Sequence, residues 1–444
     1  MAKKAMNRRE FLRTGALVGA GLIAAQAGAA GAAMAASAQP KASGSGPTLL
    51  FQRRKVVSFW HIYTEDPRNK GIADVIAAFE KAYPDIQVEP NAVFHQDAKV
   101  VFPNVLKTSA PPDVIQLRTT SLARISIDAG LVMEITDVYK EKGYEKRFGP
   151  LGDSADWKGK KWSIPFNLDQ FPGVWYFKDV FDKMGLKPPE TLDEFETILA
   201  EFKKNNVAAI WIGNRDRWHA PYMVEYLILR LGGVKTWKGL ADGSAHWTDP
   251  EVVAAFEKFA DWLNKGYFFP DMNAYDITDL YPYWTSDQIG MCGPCGPWAF
   301  ENAKLAGREA DYFPFPVLKK GDPVVGIVNA EPFSISKNAP HPEEAWLLLD
   351  FIGSKEAQQI FMDVTNIPMA NLEVDVSKQP EPIQKMIKDA HTMPSVLGFD
   401  WDLPEAAFSV AQPAIQEFVA NPTADTIKKV TTEIEASVQK WLKG

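Results

Sequence analysis

The sequence predicts an α/β protein of two lobes, and two observations carry that reading. First, the order strand, amphipathic helix, strand between Lys55 and Val88 is a βαβ unit, which calls for a parallel sheet with helices on its faces. Second, about 406 residues remain once an N-terminal leader of 38 is set aside. That exceeds the roughly 250–300 residues at which one hydrophobic core stops growing.

The elements follow in chain order. Lys55 to Trp60 is a short apolar strand. Ile72, Val75, Ile76, Phe79 and Tyr83 recur at helical spacing and are stopped by Pro84. Ile86 and Val88 alternate as a second strand, and Asp113 to Leu117 reads as a third, buried one. A different region opens at Lys160 to Phe166 and continues in the strand-like Gly173 to Lys178. Thr191 and Glu194 then form a capping box ahead of a helix from Leu192 to Lys203. Ala208 to Ile212 and Val324 to Val328 read as strands. Pro250 to Lys265, Pro342 to Met362 and Thr426 to Leu442 read as amphipathic helices.

The N-terminus carries an address. Asn7-Arg8-Arg9-Glu10-Phe11-Leu12-Arg13 precedes a Gly/Ala-rich apolar stretch and the small-residue site Ala36-Ser37-Ala38. The arrangement resembles a twin-arginine signal peptide over residues 1–38, followed by a Gly/Ser/Pro-rich tether over 39–54. It implies the twin-arginine translocase as an export partner and a soluble, periplasmic mature protein. Loss of the leader removes five basic side chains and one acidic, so the net charge moves from −8 to about −12. An acidic chain of this kind argues against nucleic acid as a partner. After the leader, no apolar run approaches the ~20 residues that span a bilayer.

A family resemblance rests on blocks ordered along nearly the whole mature chain. They are Phe59-Trp60-His61, Tyr83-Pro84-Asp85-Ile86, Pro112-Asp113-Val114 and Gly159-Lys160-Lys161-Trp162-Ser163-Ile164-Pro165-Phe166-Asn167. Tyr176 to Asp179, Phe181 to Phe195 and Phe333 to Asn338 ahead of Ala345-Trp346 complete the set. In this order they resemble the maltose-binding-like extracellular solute-binding proteins, family 1, the receptor subunits of ABC sugar importers. Where the family usually has Gly-Lys-Ala-Ala-Met, this chain has Ser286 to Pro294. The resemblance implies a type II periplasmic-binding-protein-like fold with a hinge and an inter-lobe cleft. The N-terminal lobe is expected over 55–165 and 323–364, and the C-terminal lobe over 166–322 and 365–444. It further implies a monomer that captures a carbohydrate or polyol by lobe closure and delivers it to a membrane permease, with no cofactor and no catalysis.

Fourteen tryptophans suit such a ligand, because aromatic faces match sugar C–H faces while amides and carboxylates match the hydroxyl edges. Trp60, Tyr63 and Glu65 stand at the end of the first strand, where open α/β sheets place ligands. Trp211, Trp218 and His219 follow a strand-like run. Gly296 lies in a Gly/Pro-rich loop leading to Trp298, where the family supplies a stacking ring. Trp284 and Trp401 are further stacking candidates. Asn167, Asp169 and Gln170 fall at the expected crossing between lobes. Gln96 follows the second strand, and Asn329 and Glu331 follow the strand-like Val324 to Val328. Trp262, Trp346 and Trp441 read as core.

Rival chemistries are weaker. Cys292-Gly293-Pro294-Cys295 matches a thioredoxin-type redox string, but Gly296-Pro297 stands where its helix should run. A local disulfide and free thiols both remain open for this pair. The six histidines show no metal-ligand spacing, so no metal is expected. A carbohydrate sensor or lectin-like module shares the same binding physics, and a glycosidase would need a pair of carboxylates that spacing does not reveal.

Overall fold

The computed structural model describes residues 54–117, 120–168 and 173–443. The leader and nearly all of the tether, Asp169 and Gln170 lie outside the described residues. Strands are β1 (Lys55–His61), β2 (Ile86–Ala92), β3 (Val114–Gln116), β4 (Asp156–Trp157), β5 (Lys160–Lys161), β6 (Ile164–Leu168) and β7 (Gly173–Phe177). They continue as β8 (Ala208–Trp211), β9 (Ile289–Cys292), β10 (Ala310–Pro314), β11 (Gly326–Ile327), β12 (Ala330–Ile335) and β13 (Ser395–Val396).

The first sheet has the order β2-β1-β3-β12-β6. β1 runs parallel to β2 and β3, while β12 is antiparallel to β3 and β6. The expected helix joining β1 to β2 is Arg68–Ala82, whose buried stripe is Gly71, Ile72, Val75, Ile76 and Phe79. Buried Asp113 ties the sheet to the loop beyond β12. Its carboxylate accepts the Ser58 amide at 2.9 Å and the His341 amide at 2.7 Å.

The second sheet has the order β10-β7-β9-β8. The chain therefore passes between sheets after β6 and returns before β12, with β11 pairing parallel to β13 on the way. The capping box forms as expected: Thr191 Oγ1 accepts the Glu194 amide at 3.3 Å, and Glu194 accepts the Thr191 amide at 3.0 Å. The helix expected over Pro342 to Met362 is instead two, Pro342–Ile352 and Lys355–Thr365. Gly353 ends the first, and Ser354 caps the second by accepting the Ala357 amide at 3.1 Å. An apolar cluster runs from Phe59, Phe166 and Phe333 of the first sheet to Trp175 and Trp211 of the second and Trp284 on the helix Ile277–Thr285, so the two lobes are in contact.

One helix, His219–Leu231, is buried at nearly every position. Such a helix must place its polar side chains on partners. His219 Nδ1 accepts the Gly213 amide at 3.2 Å, which assigns the ring proton to Nε2, 3.1 Å from the Pro294 carbonyl. Arg230, near the other end, donates to the carbonyls of Phe315, Pro316 and Val325 at 2.8–2.9 Å. It pins both ends of the segment that leads from β10 back toward the first sheet.

Two outcomes are expected from this burial. R230M leaves three carbonyls without their charged donor and should cost about 3 kcal/mol in denaturant unfolding. Burial lowers the His219 and His61 pKa values from the ordinary 6.5 to about 4. Between those values the unfolded chain binds the proton and the folded one does not. Stability contributed by each ring is thus complete above pH 6.5 and is lost as pH falls toward 4, by up to about 3 kcal/mol apiece. Melts of H219Q across this window should be visibly flatter than those of the wild-type chain.

Candidate functional site

The structure gathers the expected residues into two groups. On the first sheet, Tyr63 donates its hydroxyl proton to Asn167 Oδ1 at 2.5 Å and accepts from Gln116 Nε2 at 2.9 Å. The same Gln116 amide lies 3.2 Å from Glu331 Oε2, and Gln116 Oε1 accepts the Ile62 amide at 3.0 Å. Strand ends β1, β3, β6 and β12 thus meet in one buried polar network. Gln116 belongs to it and was not among the expected residues; its place as an amide at the end of β3 was the available signal.

On the second lobe, Trp218 stacks on His219 at 4.9 Å and meets Trp298 edge to face at 6.2 Å. Trp298 opens the helix Trp298–Leu305 and lies folded back over Gly296. A side chain at position 296 would collide with the indole, so only glycine fits there. Pro294, Cys295 and Gly296 bound a small cavity with Tyr222, Glu225 and Tyr226 from the buried helix and Ile327 from β11. The cavity measures about 10 Å³, on the scale where one water needs roughly 10–15 Å³. With the walls as they stand, the cavity holds no more than about one water.

Residues 327–331 join the two groups. Ile327 lines the cavity, Glu331 belongs to the network of the first sheet, and Asn329 between them accepts the Gly398 amide at 3.1 Å. Beside it, Glu225 Oε1 accepts the Phe399 amide at 3.2 Å. Two ion pairs also link the lobes. Arg68, on the helix after β1, lies 3.6 Å from Glu301 on the helix after β9. Arg124 lies 3.6 Å from Asp402 and donates to its carbonyl at 3.0 Å. Burial raises the Glu301 and Asp402 pKa values above the ordinary carboxylate range, and the facing arginines oppose that rise.

Other expected residues stand elsewhere. Trp284 is core, stacked on Phe177 at 4.4 Å. Trp211 is fully buried beneath His219 and Tyr281, and Trp401 is buried in a short helix. Trp60 is half-buried and packs edge to face on Phe102. Glu65 is solvent-exposed. Gln96 belongs to the helix His95–Val105, and its side chain lies outside the described residues. Tyr222, Glu225 and Tyr226 were not anticipated. Their signal was an acid set among the apolar residues of Ala220 to Leu231.

Cys292 and Cys295 are free thiols 3.0 Å apart, both buried. Burial and the neighbouring thiol push the Cys292 pKa well up, the reverse of what an attacking thiol needs. The next helix begins only at Trp298, six residues after Cys292, so neither thiol stands at a helix N-terminus. Larger grooves lie around Arg124, Trp157 and Asp402, about 580 Å³, and around Phe268 to Tyr275, about 1070 Å³. Both are broad and open, and the arginine and aspartate of the first are already paired with each other. No helix of the described residues is long and apolar enough to cross a membrane.

Residues 65–359 match the profile of the bacterial extracellular solute-binding proteins. An ABC transporter extracellular-binding protein of Pyrococcus horikoshii is 26% identical, the alignment covering 98% of this chain and 97% of that one. The multiple sugar-binding protein of Streptococcus mutans is 24% identical, over 82% of this chain and 87% of its own. Among solved structures, the bacterial solute receptor AcbH aligns with a TM-score of 0.81 at 19% identity, over 88% of this chain and all of that one. That last likeness is one of fold, and it agrees with the two sheets and the crossings between them. With two thirds of its length matched by the family profile, the chain belongs to the bacterial extracellular solute-binding protein family.

Proposed function

We propose that this protein captures a carbohydrate-like solute between its lobes and delivers it to the permease of an ABC importer, after export through the twin-arginine route to the periplasm. The observation that carries the reading is the pairing of unlike surfaces. A polar network of Tyr63, Gln116, Asn167 and Glu331 lies on the first sheet; on the other side Tyr222 and Tyr226 wall a cavity with Gly296, and the Trp218–Trp298 pair stands beside that loop. Segment 327–331 carries one into the other. A sugar presents hydroxyl edges to the first and C–H faces to the second. It touches both only when the lobes are shut, so its binding energy differs between open and closed forms and drives closure.

The printed name of the Streptococcus mutans relative, a multiple sugar-binding protein, supports this class of solute. The hinge of the proposal lies at the two passages between sheets, near Ile164 to Gly173 and Pro316 to Val325; since β6 keeps residues 164–168 in the first sheet, we put the first lobe boundary after Leu168 and not after residue 165 as expected from the sequence. Nothing in the reading calls for chemistry on the solute. Titration calorimetry of the mature chain against a panel of sugars should find reversible binding, and chromatography should recover the sugar unchanged. W298A should weaken that binding tenfold or more, about 1.4 kcal/mol, while its denaturant unfolding stays near that of wild type. Binding confined to non-sugars, or a sugar recovered cleaved, would contradict the proposal.

A further inference from the structure

Glu225 sits in the middle of the buried helix His219–Leu231 and is 1% exposed. One oxygen, Oε1, takes the Phe399 amide. The other, Oε2, is buried and has no hydrogen-bond partner among the described residues, and the side chain forms part of the cavity wall. The other described walls are Tyr222, Tyr226, Pro294, Cys295, Gly296 and Ile327, none of them basic. Two other acids whose pKa burial raises have a facing cation: Glu301 has Arg68 and Asp402 has Arg124. Glu225 has instead a second acid nearby. Burial first, and then the charge of Asp400, push its pKa well above the ordinary 4.5. A buried carboxyl without a cation is held as the neutral acid, able to donate one hydrogen bond and accept another.

We propose that Glu225 Oε2 is the hydrogen-bonding group at the floor of the solute site, where it reads a hydroxyl of an uncharged solute, and that the site rejects solutes carrying a phosphate or carboxylate. The inference rests on the proposed carbohydrate-receptor function and narrows its substrate class. A hydroxyl satisfies the acid in either direction of the hydrogen bond. An anion brought to the same wall loses its water and meets no basic group among the described walls, with the charge of Asp400 close behind Glu225, which is the costly arrangement for a buried charge. Removing the reader leaves the solute's own hydroxyl buried and unpaired, and discrimination of that kind is steep.

The test is titration calorimetry of the full mature chain at neutral pH. Uncharged probes are D-glucose, D-galactose, maltose, diacetylchitobiose and glycerol; anionic probes are glucose 6-phosphate, glucuronate and glycerol 3-phosphate. At least one uncharged sugar should bind, with every anion at least 100-fold weaker. E225L should bind that sugar at least 30-fold more weakly, and E225Q, whose amide can donate and accept, should recover most of the loss. A readout without ligand accompanies it. Because the folded-state pKa of Glu225 is raised, its contribution to stability is lost as pH rises above 4.5, and E225Q should remove that part of the slope. An anion that binds as tightly as the sugar, or E225L binding like wild type, overturns this inference and leaves carbohydrate capture standing. No sugar binding at all overturns both.

Discussion

The organising constraint is that helix His219–Leu231 is buried along almost its whole length while carrying a histidine, a glutamate and an arginine. None of the three can be buried without something to meet it. His219 takes hold of the Pro294 carbonyl and so sets the loop that presents Gly296 and Trp298. Arg230 holds the chain at Phe315, Pro316 and Val325, fixing where it turns back toward the first sheet. Glu225, between them, spends one oxygen on the Phe399 amide and keeps the other at the cavity. The same helix therefore positions the aromatic loop, the return passage and the floor of the site.

The lobes depend on each other in a comparable way. Tyr63, Gln116 and Asn167 complete their hydrogen bonds at Glu331, on a strand that the chain reaches only after building the second sheet. Arg68 with Glu301 and Arg124 with Asp402 join the lobes on helices outside the sheets. In the proposed mechanism, parting the lobes exposes these two ion pairs to water, and closing them on a solute covers them again.

Much of the fold was legible in the sequence, and the reasons are local. The first βαβ unit follows from the spacing of Ile72, Val75, Ile76 and Phe79, and the capping box from Thr191 and Glu194. The break at Gly353 and Ser354 was missed because apolar residues continue in register on both sides of it. Of the expected residues, Tyr63, Asn167 and Glu331 gather in one group and Trp218, Gly296 and Trp298 in another, all of them at strand ends or beside a Gly/Pro turn or strand-like run in the sequence. Trp211, Trp284 and Trp401 look the same in sequence and are buried as core, since composition around a ring does not say which way it faces. Glu225 went unread because its oxygens acquire meaning only when Phe399, Asp400 and the 294–296 loop, distant in sequence, arrive beside it.

Closure driven by an uncharged sugar is the central claim, and a distance across the cleft tests it most directly. Spin labels at Ala73 and Lys304, on the helices that carry Arg68 and Glu301, with Cys292 and Cys295 replaced by serine, report the separation of the lobes. The account predicts a broad distribution reaching to long distances without sugar, which collapses to one short, narrow population at saturation. A distribution unchanged by a sugar that calorimetry shows to be bound would contradict it.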